Sequence, residues 1–256
     1  TAIDLVGRGA DVAIHGRDPK KVDAVASELE RLRPGSVRAR LVRDLASLAE
    51  VRALAVDAER ALGALDVLLE NAGVFMKRRE LTVDGFEKTF AVNHLAHVLL
   101  AHLLLPSLER TKAPRIIVVS SMAHRSGRLE WRDFSLAKQY EGYAAYAQSK
   151  LANVLFATEL ARRLGDRARV HSLHPGVVST NLLREGFGFG GSDSLVDGAA
   201  TSVFLALDPE GGRSTGSYWV RKREAEPHED ATDRKTTARF YEESCRMVGI
   251  EPLPPV

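Results

Sequence analysis

Tyr146 and Lys150 stand four residues apart in Tyr146-Ala147-Gln148-Ser149-Lys150, a spacing that puts both side chains on one face of a helix. A free phenol titrates near pH ~10 and is a poor base at neutrality. A cation held beside it favours the phenolate and lowers that value. Such a tyrosine exchanges a proton with an alcohol or carbonyl oxygen. Alone, the pair reads more simply as a Tyr and a Lys on a solvated helix, but the surrounding residues change that reading. Ser120-Ser121 closes the apolar run Arg115–Ser120, where a hydroxyl can hold a substrate oxygen against the phenol. Asn71-Ala72-Gly73 ends the preceding run, and small residues there let a flat cofactor approach the backbone. Asn93 is a polar residue inside a long apolar helix pattern, and His174-Pro175-Gly176 with Thr180 follows the next run.

The elements that must hold these residues alternate strand and helix almost from end to end. Asp11–Gly16 reads as a strand, and Asp18-Pro19 opens a helix as N-cap and first turn. Val37–Val42 is the next strand, followed by a helix over Ala46–Leu62 that Gly63 closes. Leu65–Leu69 is a strand, Asp84–Arg110 a long helix, and Arg115–Ser120 a strand of the kind buried on both faces. A helix over Tyr143–Leu164, a strand Arg169–Leu173, a helix Leu195–Leu207, a last short strand Ser217–Val220 and a closing helix Asp233–Met247 complete the pattern, with an extended tail Glu251–Val256. This predicts an α/β protein: one Rossmann-type domain, a doubly wound parallel sheet with helices on both faces. In such sheets ligands bind beyond the carboxyl ends of the strands, which is where the residues above stand.

Composition narrows the field further. The chain has 256 residues, 45% apolar and 27% charged, so it has ample material for a core. Its 36 basic against 34 acidic side chains leave a net charge of +2, which excludes a dedicated nucleic-acid surface. One cysteine, Cys245, excludes an intrachain disulfide and fits a reducing, cytoplasmic setting. The stretch Phe90–Leu108 carries Asn93, three histidines and Pro106, too polar for a lone membrane span, and reads as a buried or interface helix. Other features are set aside. Gly7-Arg8-Gly9 precedes a strand instead of following one and reads as a turn. Gly186, Gly188, Gly190 and Gly191, interleaved with Phe187 and Phe189, suit an apolar lid better than a phosphate cradle. His94, His97 and His102 share a helix without neighbouring Cys or Asp, which argues against a metal site. Ser121, His174 and Asp44 lack the Gly-x-Ser-x-Gly elbow of a hydrolase triad.

Together the motifs resemble the classical short-chain dehydrogenase/reductase family over nearly the whole chain. The family's Asn-Ala-Gly element matches Asn71, Ala72 and Gly73; its catalytic Asn, Ser, Tyr and Lys match Asn93, Ser121, Tyr146 and Lys150; its Pro-Gly-x-x-x-Thr element matches Pro175, Gly176 and Thr180. The wording of Val118–His124, Tyr146–Leu164, His174–Leu182 and Arg223–Pro227 is similar to the retinol-dehydrogenase-like branch. The resemblance implies hydride transfer between a nicotinamide and a carbonyl or alcohol carbon. Tyr146 is then the acid/base, Lys150 lowers its pKa and holds the cofactor ribose, Ser121 orients the substrate oxygen, and Asn93 positions Lys150 through a water. In such a fold an acidic residue ending the second strand favours NAD. Here that place holds His15-Gly16-Arg17, and Arg17 can fork onto a 2′-phosphate, so NADP(H) is preferred, with NAD(H) possible. Asp44-Leu45 looks like the family's adenine-contacting pair, and Asp44 also suits an ordinary helix N-cap.

The family opens with a strand and a Gly-rich turn that this sequence lacks. It begins, at Thr1, inside what would be the first helix. The first strand is central in the family's sheet, so a gap is expected there, and no pyrophosphate-binding glycine can be named. A sequence lacking ordered upstream residues, a late start, or a truly shortened chain would each account for this. The segment between Ser121 and Tyr146 is longer than in most compact members, as in the retinol-dehydrogenase-like branch. Leu182, Leu183, Phe187, Phe189 and Trp131 suggest an apolar small-molecule substrate. The long helices Asp84–Arg110 and Tyr143–Leu164, apolar on more than one face, suggest a homodimer or homotetramer. The competing reading is a non-catalytic NADP(H) sensor on the same fold, which has no need of a poised phenol.

Overall fold

In the computed structural model, which describes residues 1–178 and 190–255, alternating patterns become two hydrogen-bonded sheets. The chain enters through helix α1 (Ala2–Gly7), strand β1 (Val12–Gly16), helix α2 (Pro19–Leu32), strand β2 (Val37–Val42) and helix α3 (Leu48–Leu62). Asp18 caps α2 by accepting from the Lys20 amide, with Pro19 in the first turn. Ser47 caps α3, and Gly63 ends it at φ 67, a value that suits glycine. β1 and β2 pair in parallel and form a sheet of their own.

The larger sheet runs β3 (Val67–Glu70), β4 (Arg115–Val119), β5 (Arg169–His174), β6 (Tyr218–Val220) and β7 (Arg223–Ala225), in that spatial order. The first four are parallel and β7 is antiparallel. The expected interruption is present: among the described residues no ladder joins β1 to β3. β7 was not expected. Its polar Arg223-Glu224-Ala225 carries no strand pattern, and it is reached through Arg221 and Lys222, both at positive φ.

Two helices cover one face of the large sheet and a third packs over them. Helix α4 (Lys88–Leu108) contains a π-helical turn, Ala91–Leu95; helix α5 spans Gly142–Leu164; helix α7 spans Arg234–Val248. With α3 they build the main core around Leu68, Ile116, Val118 and Val170. The alternate residues Ile117, Val119 and Leu173 face the other side, against Leu5 of α1 and the helix α6 (Leu195–Leu207). This is the period-two division of a parallel strand covered on both faces. α4 is long and apolar enough to cross a bilayer, with mean hydropathy 1.4, and here 78% of that stretch is buried inside the fold.

Two expectations change. α4 starts at Lys88, not Asp84, because Thr82–Phe86 forms a tight turn with Gly85 at φ 83 and the Glu87 carboxylate caps Thr89 and Phe90. The second apolar faces of α4 and α5, which suggested pairing with another subunit, are covered by this chain's own α7. Phe240, Tyr241 and Cys245 pack there against His94, His102 and Phe156.

Candidate active site

The carboxyl ends of β3, β4 and β5 face the first turns of α5, and the motif residues converge there. Asn93 sits in the π-helical turn of α4, a local widening frequent at functional sites. It is fully buried and exchanges two bonds with the Val74 backbone: Val74 N–H donates to Oδ1 at 2.7 Å, and Nδ2 donates to the Val74 carbonyl at 3.0 Å. The same amide group reaches α5 at Ser149 Oγ, 3.0 Å away, and Ser149 in turn donates to the Tyr146 carbonyl at 2.7 Å. Asn93 therefore meets the Tyr146–Lys150 turn through Ser149.

Lys150 is buried, and its Nζ donates to the Val119 carbonyl at 3.0 Å, beyond the last rung of β4. Asn153 donates to the same oxygen at 3.2 Å. Since a carbonyl only accepts, this fixes the amide of Asn153 with its oxygen toward His94 Nδ1, 3.3 Å away. His94 then carries its proton on Nδ1, and its Nε2 lies 2.9 Å from Ser244 Oγ of α7, whose hydroxyl also reaches the Phe240 carbonyl at 2.9 Å. Burial holds His94 down to about 3, which keeps the ring neutral as that pattern requires. Ser120 Oγ donates to the Lys150 carbonyl at 2.7 Å. Lys150 is thus fastened at both its backbone and its ammonium.

Tyr146 lies beside it, with Lys150 Nζ 5.7 Å from the ring centroid. Burial pushes the phenol up to about 12, while the hydrogen bond from Ser121 pulls it the other way. Burial also lowers Lys150 to about 8. For Tyr146, burial outweighs the bond from Ser121. Gly73 stands against this group: a Cβ there would lie 3.4 Å from Asn93 Oδ1 and 3.5 Å from Lys150 Nζ.

The expected cofactor residues are more dispersed. Arg17 is exposed at the end of β1 and makes no ion pair among the described residues. Asp44 is exposed and accepts from the Ala46 amide at 2.9 Å; the N-cap of α3 is Ser47. The Leu45 side chain is in the main core, which leaves only its backbone for a ligand. Asn71 is exposed, and Ala72 packs on the core. Pro175 and Gly176 follow β5, with Gly176 at φ 103 and no room for a Cβ beside Asp193 Oδ2. Thr180, Leu182, Leu183, Phe187 and Phe189 lie outside the described residues. Trp131 is engaged elsewhere: it meets Phe134, Phe240 and the Arg239 guanidinium, on the α7 side. Among the described residues no glycine-rich turn between a strand and a helix offers a pyrophosphate cradle.

Sequence reasoning passed over several buried polar side chains near this centre. Glu70 ends β3 with both carboxylate oxygens buried and unpartnered, and burial holds it well above the usual carboxylate range. His97, one turn beyond Asn93, has both ring nitrogens buried and unpartnered. Only a polar residue in an apolar run marked them. His124 meets the Ser121 carbonyl and His174 the Met122 amide, which no spacing in the sequence announces.

Comparison with known proteins follows the same lines. The model of the short chain dehydrogenase family matches residues 1–187. Human retinol dehydrogenase 13 is 37% identical over 269 residues, covering 98% of this chain and 81% of that protein. An uncharacterized protein from Mycobacterium paratuberculosis superposes with TM-score 0.79 at 33% identity, covering 99% of this chain and 89% of that one. The RhlG/NADP active-site complex of Pseudomonas aeruginosa gives TM-score 0.69 at 26% identity, with 85% and 87% covered.

Proposed function

Since the chain belongs to the short chain dehydrogenase family and is an oxidoreductase acting on CH–OH donors, we propose that it reduces an apolar aldehyde or ketone with NADPH. The observation that carries this reading is the convergence of Asn93, Ser121, Tyr146 and Lys150 around the open backbone of Gly73. When bound, the nicotinamide supplies the hydride. The chain's residues do the rest. Ser121 Oγ bonds to the phenol of Tyr146 and holds a substrate oxygen at that point. Tyr146, protonated at neutral pH as a phenol is, gives its proton to the oxygen that receives the hydride at carbon. Lys150 keeps a positive charge next to the alkoxide that reduction creates, and Asn93 holds the turn of α5 that carries both.

Arg17 supports NADP(H) as the cofactor, because a guanidinium that is exposed and without an ion pair among the described residues suits a 2′-phosphate. Relatives named retinol dehydrogenase make a long apolar aldehyde a reasonable class to test. The buried thiol of Cys245, raised to about 11 and so inert, is compatible with a reducing cytoplasmic setting.

The test is NADPH oxidation with octanal, cinnamaldehyde and all-trans-retinal. Tyr146→Phe is expected to cut turnover about 10²–10⁴-fold with an unchanged far-UV spectrum. Full activity in that variant removes the reading. Energy transfer from Trp131 and Trp219 reads cofactor binding, and Arg17→Ala is expected to weaken NADPH about tenfold or more while leaving NADH unchanged. Saturable NADPH binding with no turnover of any carbonyl favours a non-catalytic sensor instead.

A further inference from the structure

The peptide unit joining Ser121 to Met122 has an unusual pair of partners. Its carbonyl accepts from His124 Nδ1 at 2.7 Å, and its N–H donates to His174 Nδ1 at 3.2 Å. A carbonyl only accepts, so His124 must carry a proton on Nδ1. An amide N–H only donates, so Nδ1 of His174 must be bare. Burial holds both rings down to about 4 and hence neutral. The two imidazoles are therefore opposite tautomers: His124 protonated on Nδ1 with Nε2 bare and unpartnered, His174 protonated on Nε2.

We propose that His124 and His174 are positioning residues that clamp the Ser121–Met122 peptide plane from both ends and so aim the Ser121 hydroxyl at Tyr146. The inference rests on the reading of Ser121 and Tyr146 as the reacting pair. The rings come from independent supports. His124 lies against the Tyr218 ring of β6, with centroids 4.6 Å apart. His174 is the last residue of β5, next to Pro175. This peptide follows the end of β4, whose last rung is Ser120 N–H to Leu173 O at 2.7 Å; apart from the imidazoles only the His124 amide reaches it, donating to the Ser121 carbonyl at 3.1 Å, and the N–H end has His174 alone. The Ser121 side chain accepts only from the Ala123 amide at 3.2 Å within its own turn, a contact that leaves the hydroxyl proton for Tyr146. A peptide plane held at its oxygen and its nitrogen has lost rotation about both flanking bonds. That is the preorganisation a hydrogen-bond donor at a reacting oxygen needs.

The test reads the clamp without needing turnover. Long-range ¹⁵N spectra of the imidazoles in the wild-type protein at pH 7.5 are expected to show His124 as the Nδ1–H form and His174 as the Nε2–H form. Finding the same tautomer in both overturns the clamp. The ¹³Cζ resonance of Tyr146, assigned with Tyr146→Phe, then reports the Ser121 hydrogen bond, with Ser121→Ala as the benchmark. His174→Leu removes the acceptor and is expected to move that resonance in the direction of Ser121→Ala. His174→Asn keeps an acceptor at the place of Nδ1 and is expected to restore it. His124→Phe, which keeps a ring against Tyr218, serves as the second variant if His174→Leu does not fold. A folded clamp variant with the wild-type Tyr146 resonance overturns the proposal. With an aldehyde that is turned over, His174→Leu is expected to lower kcat about tenfold or more with NADPH affinity unchanged, and His174→Asn to recover most of it. Failure of all aldehydes in the wild type falls on the proposed function and leaves the tautomer and resonance results to decide the clamp.

Discussion

β4 and β5 are buried along almost their whole length, whereas every residue of β1 is only half-buried and β2 alternates between half-buried and exposed. The main core draws its buried residues from α3, β3, β4, β5, β6, α4, α5 and α7, and none from β1 or β2. Around the smaller sheet the buried apolar side chains are few, Val6 of α1 and Val22, Ala26 and Leu29 of α2, and ion pairs add to them: Arg33 and Arg38 on Asp11, Arg40 on Asp23, and Arg43 on Asp57. Exposed pairs of this kind contribute about 0–1 kcal/mol each. A parallel strand is ordinarily covered on both faces, so β1 and β2 are an incompletely covered region next to a fully packed one. The difference separates two jobs. Proton chemistry requires fixed geometry and is built into the packed region. Arg17, which meets a ligand arriving from solvent, stands on the loosely held one.

The largest effect expected from this contrast is acid instability of the packed region. Seven histidines, His15, His94, His97, His102, His124, His171 and His174, are held below their ordinary value, chiefly by burial. Six of them belong to the larger sheet and its helices. The unfolded chain takes up protons as pH falls through about 6.5, while the folded rings stay neutral until about 4 or 3 for His124, His174 and His94. Stability present above pH ~6.5 is therefore lost progressively below it, by several kcal/mol in order of magnitude at about 1.4 kcal/mol per proton per pH unit. Urea midpoints between pH 7.5 and 5 measure this. A flat profile across that range contradicts the buried, neutral state of these rings.

Hydrogen exchange sharpens the same comparison. The amides of β4 and β5 are expected to exchange about 100-fold or more slowly than those of β1 and β2, because the latter open without disturbing the main core. Equal protection would show that the two sheets unfold as one unit.

Glycine substitutions probe packing directly. A Cβ on Gly127 would lie 2.5 Å from the Ala147 carbonyl and 2.8 Å from Leu151 Cβ, so Gly127→Ala forces α5 away from the turn after Ser121. The expected cost is about 1–3 kcal/mol. Gly7, in α1, has open space around it, and Gly7→Ala is expected to stabilise by about 0.5–1 kcal/mol through helix propensity. Thermal midpoints that fall for the first and rise for the second match the contrast. Equal shifts erase it.

Much of this was legible in the sequence because it is local. Val37–Val42 and Leu195–Leu207 form as read, and strand ends that carry small or polar residues marked the site. The reverse holds for what escaped. The Arg221-Lys222 turn uses a left-handed conformation that usually asks for Asn-Gly, so β7 had no turn signal. The phenol's upward shift follows from burial that only the packed fold creates. His94, Asn153 and His174 find partners from distant parts of the chain, and a histidine in a sequence does not say which tautomer its neighbours will select. The apolar second faces of α4 and α5 were read correctly as apolar; the occupant, α7, lay too far along the chain to be inferred.

The smallest expected effect lies at Glu70. It ends β3, the edge strand of the larger sheet, yet its carboxyl is buried without a partner on the side of the main core. His97 of α4, also unpartnered, lies near enough to His15 of β1 to be influenced by its charge, so the polar interior borders the smaller sheet. Burial raises Glu70, which means that the folded protein keeps a proton the unfolded chain releases above pH ~4.5. Stability contributed by this residue is full at low pH and declines as pH rises toward its folded value. Glu70→Gln replaces the protonated carboxyl by a neutral group of the same shape and removes that decline. The variant is expected to match the wild type at pH 4.5 and to exceed it increasingly toward pH 8 in urea midpoint. A variant less stable than wild type at pH 8 would mean that Glu70 is ionised and paired, and that the border between the two sheets holds a cation instead of a proton.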